Sequence, residues 1–270
     1  MKGAISRTVR AIPTLLRIGV AETVAYRAEF MVWMLTTTLP LVMLGLWTSV
    51  ASEGPFRGYS SPDFVAYYLA TLIVRNLTGS WVVWQINEEV RQGQMSMRLL
   101  RPVHPFVQYA ASHVAAVPLR GLVALPVTAI MLATSARGSI THDPAQIALF
   151  LVSVGVAWML TFAFLFALGA CAFFLDKAMS LMEVYFGVFA IFSGYLIPLP
   201  LLPDWLQSLA RWLPFRFMLA APVELLTKPA VSLGDDLLVV GEQVAWATGV
   251  LALALAIWRA GVRRFEAVGV

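Results

Sequence analysis

From Gln146 to Leu175 the chain runs without a single Asp, Glu, Lys or Arg. A helix needs about 20 mostly apolar residues to cross the hydrocarbon core of a bilayer, and this run exceeds that with room for tilt. In lipid, every backbone polar group must be satisfied internally, so such a run folds as a helix. Comparable runs recur at Phe30 to Ala51, Phe64 to Ile86, His113 to Ser135, Ala178 to Pro198 and Leu237 to Trp258. Together these runs predict an all-α, polytopic membrane protein with six transmembrane helices in a single domain over residues 1–270.

Composition supports the same class. Hydrophobic residues make up 60% of the chain and charged residues 13%, where a soluble domain carries about 25% charged residues. The only cysteine, Cys171, lies inside an apolar run, so a disulfide framework is excluded and a small buried hydrophobe is expected there. The formal charge of +4 does not point to nucleic acid, because the basic residues sit at the ends of apolar segments. Of the Lys and Arg residues outside the spans, only Arg57, Arg137, Arg211, Arg216 and Lys228 fall on one side. The rest, from Lys2 and Arg7 through Arg91, Arg98, Arg101 and Lys177 to Arg259, Arg263 and Arg264, fall on the other. The positive-inside rule makes that second side cytoplasmic and places both termini there.

Residues 1–29 lack the apolar core and cleavage site of a signal peptide and read as a cytoplasmic amphipathic helix. Ile5, Val9, Ile12, Leu16 and Val20 gather on one side, with Arg7, Arg10, Thr14 and Arg17 on another. It suits either the headgroup layer or a soluble partner, and Pro13 is expected to kink or divide it.

Two loops are more than connections. Residues 87–112 form a cytoplasmic loop whose first part, Asn87 to Pro102, mixes acids and bases around apolar Val90, Met95, Met97, Leu99 and Leu100, with a flexible break at Gly93. A short charged helix continuous with a span could receive force from a partner; a solvated turn that merely anchors two span ends is the alternative. Residues 203–226 hold two stretches, each too short to cross and too apolar for a free loop. Asp204 is expected to cap the first, whose Trp205, Leu206, Leu209, Trp212 and Leu213 share a face. An outer re-entrant or interfacial helical hairpin fits.

Ionisable residues at bilayer depth are functional-site hypotheses. Arg75 shares a small, polar strip with Thr71, Thr78 and Gly79, and Glu183 shares one with Ser180, Gly187, Ala190 and Gly194. Glu183 is expected to pair with Arg75 or Arg120, either along a pathway or as a packing device. Arg120 is expected to reach the inner interface and Glu242 the outer. No phosphate-binding Gly-rich motif, metal-ligand spacing of His104, His113 and His142, or Gly-x-Ser-x-Gly run is present, so no catalytic residue is assigned.

Four features resemble the membrane subunits of type-2 ABC exporters: the basic N-terminus through Tyr26 to Phe30, the Arg91 to Pro102 loop, the Leu213 to Leu226 segment, and the terminal Gly261 to Gly269. The resemblance spans essentially the whole chain. It implies a permease of the bacterial inner membrane, pairing with a second permease, identical or homologous, and with separate cytoplasmic ABC ATPases that bind the ATP and magnesium; no cofactor belongs to this chain. It further implies that Glu88, Glu89, Arg91, Gly93 and Arg98 couple to the ATPase, that the hairpin with Trp205, Trp212, Pro214 and Phe215 forms an outer gate, and that the pathway passes Arg75 and Glu183. An ion-coupled carrier or a non-transporting membrane scaffold remains the alternative reading of the residues themselves.

Overall fold

The computed structural model describes residues 2–25, 39–175, 177–227 and 232–265. These are almost wholly helical; the extended structure among them is the isolated bridge between Phe56 and Tyr59. The expected first span begins outside the described residues and so does the Tyr26 to Phe30 stretch, as does the tail beyond Phe265.

In chain order the helices are α1 (Lys2–Ala25), α2 (Leu39–Val50), α3 (Ser61–Thr78), α4 (Val82–Arg91), α5 (Met95–Leu99), α6 (Pro105–Ala115), α7 (Val117–Ala133), α8 (Pro144–Ala170), α9 (Ser180–Phe192), α10 (Asp204–Arg211), α11 (Phe215–Met218), α12 (Ala220–Thr227) and α13 (Leu233–Val262). Their starts follow helix-entry chemistry. Asp143 accepts the Ala145 amide ahead of Pro144, His104 accepts the Phe106 amide ahead of Pro105, and Ser232 accepts the Asp235 amide.

Three helical runs are long and apolar enough to cross a membrane: Pro105–Ala133, Pro144–Phe173 and Leu233–Val262. They overlap the expected third, fourth and sixth spans, the first of them starting at Pro105 within the expected cytoplasmic loop. Leu39–Val50 and Ser180–Phe192 are shorter apolar helices. The expected second span departs from a continuous helix, because α3 ends at Thr78 and α4 restarts at Val82.

α8 is the hub. It packs along α13 and also against α3, α4 and α12, and Ala157, Leu160, Phe162, Ala163 and Phe166 are fully buried. Near the α5–α6 end, Phe106 meets Phe162 and Phe166 edge-on at 5.2 and 5.1 Å, and Trp258 of α13 lies 4.8 Å from Phe166. Such aromatic pairs contribute beyond their buried area.

α1 is one continuous helix through Pro13, which does not divide it. Pro13 removes a single donor, on a stretch exposed enough for the freed carbonyl to hydrate. The face it packs on α6 is not the apolar side named from the sequence. Gly19 is the buried residue, set against Ala115 and the backbone of Ser112, while Val9, Ile12 and Val20 are exposed. Small residues let two helix backbones approach, so Gly19 decides the contact, and the larger apolar residues are left for another environment.

Candidate functional site

The loop after α4 is a built structure. α4 ends in a turn where Gly93 takes φ 73°, the left-handed region that glycine adopts without steric cost. α5 then folds back so that Arg98 meets Glu89. The Arg98 Nε donates to the Glu89 carboxylate at 2.6 Å, and its terminal nitrogen donates to the second oxygen. The Tyr109 hydroxyl of α6 donates to the same carboxylate at 2.6 Å, and the guanidinium lies 4.0 Å from the Tyr109 ring. Burial alone would lower the Arg98 pKa, but the hydrogen bond to Glu89, with Tyr109 beside it, outweighs burial and raises it. Gln108 adds a second tie, donating to Val103 O at 2.7 Å. A fork-on-carboxylate pair that also stacks on an aromatic ring fixes orientation as well as distance.

The residues expected to couple to an ATPase therefore divide. Glu89, Gly93 and Arg98 shape the loop from within, whereas Glu88 and Arg91 are exposed. Beside them project Met97, 67% exposed, and Leu100, 79% exposed. These two were visible as apolar positions in the sequence, but only the fold-back of α5, which buries Met95 completely, shows that they point outward.

Above this loop lies the break between α3 and α4, and α6 and α7 satisfy it. Arg120 is fully buried and donates to the carbonyl oxygens of Gly79 and, at 3.4 Å, Leu77. It thus caps the negative end of α3. His113 accepts the Trp81 amide at 3.3 Å through Nε2 while its Nδ1 faces Tyr109 O at 2.9 Å, an arrangement that fits one neutral tautomer. The Trp81 ring lies 4.4 Å from His113 and 5.0 Å from the Arg120 guanidinium. Arg120 therefore does not reach an interface as expected; broken backbone at bilayer depth needs donors, and Arg120 supplies them.

Nor does Glu183 pair with either arginine within the chain. The ion pairs among the described residues are Arg98–Glu89 and Arg216–Glu224. α9 buries Met182, Tyr185 and Phe189, and at about 100° per residue that turns Glu183 to the exposed side. Arg75 instead faces rings, 5.3 Å from Phe189 and 5.9 Å from Tyr195. An arginine at the centre of a membrane helix costs roughly 2.5–3.5 kcal/mol on insertion scales, and cation–π contacts return about 0.5–2 kcal/mol. Two such contacts offset much of that cost for the half-buried Arg75.

The end of the bundle opposite the α4–α5 loop carries the expected gate residues. α10 starts at Asp204, but that side chain makes no cap bond, and Pro203 occupies the cap position. The expected second arm is two helices, α11 and α12, broken at Leu219. Trp205 and Trp212 are 68% and 80% exposed, whereas Pro214 and Phe215 are buried. Gln243 of α13 fastens this end. It donates to Phe217 O at 2.8 Å and Ser153 O at 3.0 Å and accepts the Ser153 hydroxyl at 2.9 Å. Arg211, Trp212, Arg216, Glu242 and Trp246 line a cavity of about 630 Å³ beside it.

A family model described as ABC-2 family transporter protein matches residues 31–269. No curated protein matches the chain.

Proposed function

The chain belongs to the ABC-2 family of transporter proteins, and on that premise we propose that it is the permease subunit of an ATP-driven exporter in the bacterial inner membrane. It crosses six times with both termini in the cytoplasm, pairs with a second permease, and associates with separate cytoplasmic ATPase subunits that bind ATP and magnesium.

One observation carries this reading: a rigid charged loop whose internal residues brace it and whose outward residues have nothing to do within the chain's core. Glu89, Arg98 and Tyr109 lock α5 against α4 and α6. Glu88, Arg91, Met97 and Leu100 form the exposed side. An apolar pair ringed by charges matches the composition of a docking patch better than that of a solvated turn. Because Arg120 and His113 hold both sides of the break between α3 and α4, a push on the loop is carried through α4 into α3 with the backbone still satisfied. Movement at the ATPase is thereby delivered to α3, which carries Arg75. Arg75 and Glu183 lie along the pathway, and the α10–α12 segment with Trp205, Trp212, Pro214 and Phe215 forms the outer gate.

The test is co-purification in detergent with a cytoplasmic ABC ATPase from the same cell. A stable complex is expected, with ATP hydrolysis that falls when Glu88 and Arg91 are replaced by Ala. Failure to associate with any ATPase overturns the proposal.

A further inference from the structure

Four buried polar atoms without hydrogen-bond partners lie along the seam between α3 and α9, which Tyr67 and Arg75 bridge to Gly194 and Phe189. Thr71 Oγ1, Arg75 Nε, Tyr185 Oη and Ser193 Oγ are each enclosed and make no hydrogen bond among the described residues. Thr71 and Ser193 are fully buried and Tyr185 is 4% exposed. Their placement follows from the register of the two helices. The Tyr67 hydroxyl donates to Gly194 O at 2.8 Å, and two turns further along α3 the Arg75 guanidinium lies over Phe189. Thr71 is one turn from Tyr67 and from Arg75, Ser193 is one turn from Phe189, and the Tyr185 ring lies 5.5 Å from Phe189.

Hydroxyls and amides inside a helix ordinarily bond back to the preceding turn. Asn76 and Thr78 of α3 do so, to Leu72 O and Val74 O. Thr71 and Ser193 do not, so their donors stay available to something else. Arginine is a donor only, and each hydroxyl can turn its hydrogen inward. The seam therefore offers several donors around a fixed positive charge, with Arg120 near enough to add to the potential. Glu183 on the exposed side of α9 supplies no acceptor to it. The chemistry complementary to such a seam is an acceptor-only anion, a phosphate or carboxylate. Its walls are aromatic: Tyr185 touches Phe164, Phe186 and Phe215 as well as Phe189. Those walls suit an anion carried on an apolar body.

We propose that the Thr71–Arg75–Tyr185–Ser193 seam binds the anionic head of an amphiphile, and that anionic amphiphiles are the substrate class. This rests on the permease reading above. The full chain, with the subunits that purify with it, is placed in phosphatidylcholine nanodiscs and titrated with dodecyl phosphate, dodecyltrimethylammonium and inorganic phosphate by calorimetry. Saturable binding of dodecyl phosphate is expected, weakened roughly tenfold by Arg75→Gln and by less in Arg75→Lys. Thr71→Val and Ser193→Ala, which preserve shape and are expected to elute as the wild type, should weaken it about two- to fivefold each. Equal affinity of wild type and Arg75→Gln, or equal binding of the cationic amphiphile, overturns the proposal. Inorganic phosphate competing as well as dodecyl phosphate overturns its amphiphile half. If Arg75→Gln and Glu183→Gln destabilise the assembled pair non-additively while probe binding is unchanged, Glu183 of a second copy holds the arginine and the proposal fails. An active ATPase complex without discrimination among the probes sinks this inference alone. Arg75-dependent binding by a chain that never associates with an ATPase sinks the exporter reading alone.

Discussion

Gln243 and Arg120 each do at a distance what a helix cannot do for itself. Gln243 satisfies a carbonyl on α11 and a buried serine on α8 from within α13. Replacing it with Leu keeps the volume but strands the Phe217 carbonyl and the Ser153 hydroxyl. Unsatisfied buried groups cost about 1–3 kcal/mol each, so Gln243→Leu should lower the unfolding midpoint in detergent markedly, and the same substitution at exposed Gln92 should not. His104 is a second case, with a sign set by protonation. Its neutral Nδ1 accepts the Phe106 amide at 3.1 Å, and burial, then the Arg259 charge, lowers its pKa below 6.5. The unfolded chain takes up the proton first, so this contribution is present above pH 6.5 and shrinks as pH falls through 6.5 toward the lower folded value. Thermal unfolding at pH 7.5 and 5.5 should show a larger acid loss for wild type than for His104→Asn, which keeps a capping acceptor at both. At this scale the sequence marked Arg75 and Arg120 because a charge in an apolar run is conspicuous. It could not mark what Arg120 bonds to, since the acceptors exist only because α3 stops two residues before Ser80.

The elements were legible where apolar length decides them and less so where a turn does. α8 was readable from a charge-free stretch and α13 from a long apolar one that holds Glu242. The break between α3 and α4 was not, because Gly79 and Ser80 are tolerated inside many helices and only the His113 acceptor of α6 and the Arg120 donors of α7 make stopping there inexpensive. The apolar stripe of α1 was likewise sound as a pattern, but the contact went to the closest-fitting residue, Gly19. Gly194 gives this scale its prediction. It takes φ 84° just after α9, and a Cβ there would fall on the Tyr67 hydroxyl and lie 3.2 Å from Ala220. A left-handed φ costs a non-glycine residue roughly 1–2 kcal/mol, before the lost Tyr67 bond is counted. Gly194→Ala should therefore destabilise the protein more than Tyr67→Phe, which removes the bond alone. Adding Tyr67→Phe to Gly194→Ala should relieve the clash but leave the backbone cost, a pattern that a double-mutant cycle of unfolding midpoints resolves.

Across the whole molecule, the two ends are linked through α3 and α4, and the α4–α5 loop is where bracing and docking separate into different residues. Met97 and Leu100 contribute little to the fold of the chain, being largely exposed, so Met97→Asp and Leu100→Asp should leave the unfolding midpoint within experimental error. If the loop seats in an ATPase, the same changes place a charge in an apolar contact, and complex formation should fall roughly tenfold or more. Glu89→Gln should behave differently. It keeps an acceptor for Tyr109 but removes the charge from the Arg98 pair, which is only about one-fifth exposed. Leaving a part-buried guanidinium without its counter-charge loosens α5, so Glu89→Gln should lower the unfolding midpoint and lower the ATPase stimulation, with the ATPase still bound. Docking lost at constant stability for Met97 and Leu100, against coupling lost with reduced stability for Glu89, is the signature of a stiff lever with a separate handle. A solvated turn gives neither: all three substitutions would then leave ATPase association unchanged, and the loop would owe its charges only to the membrane surface beside it.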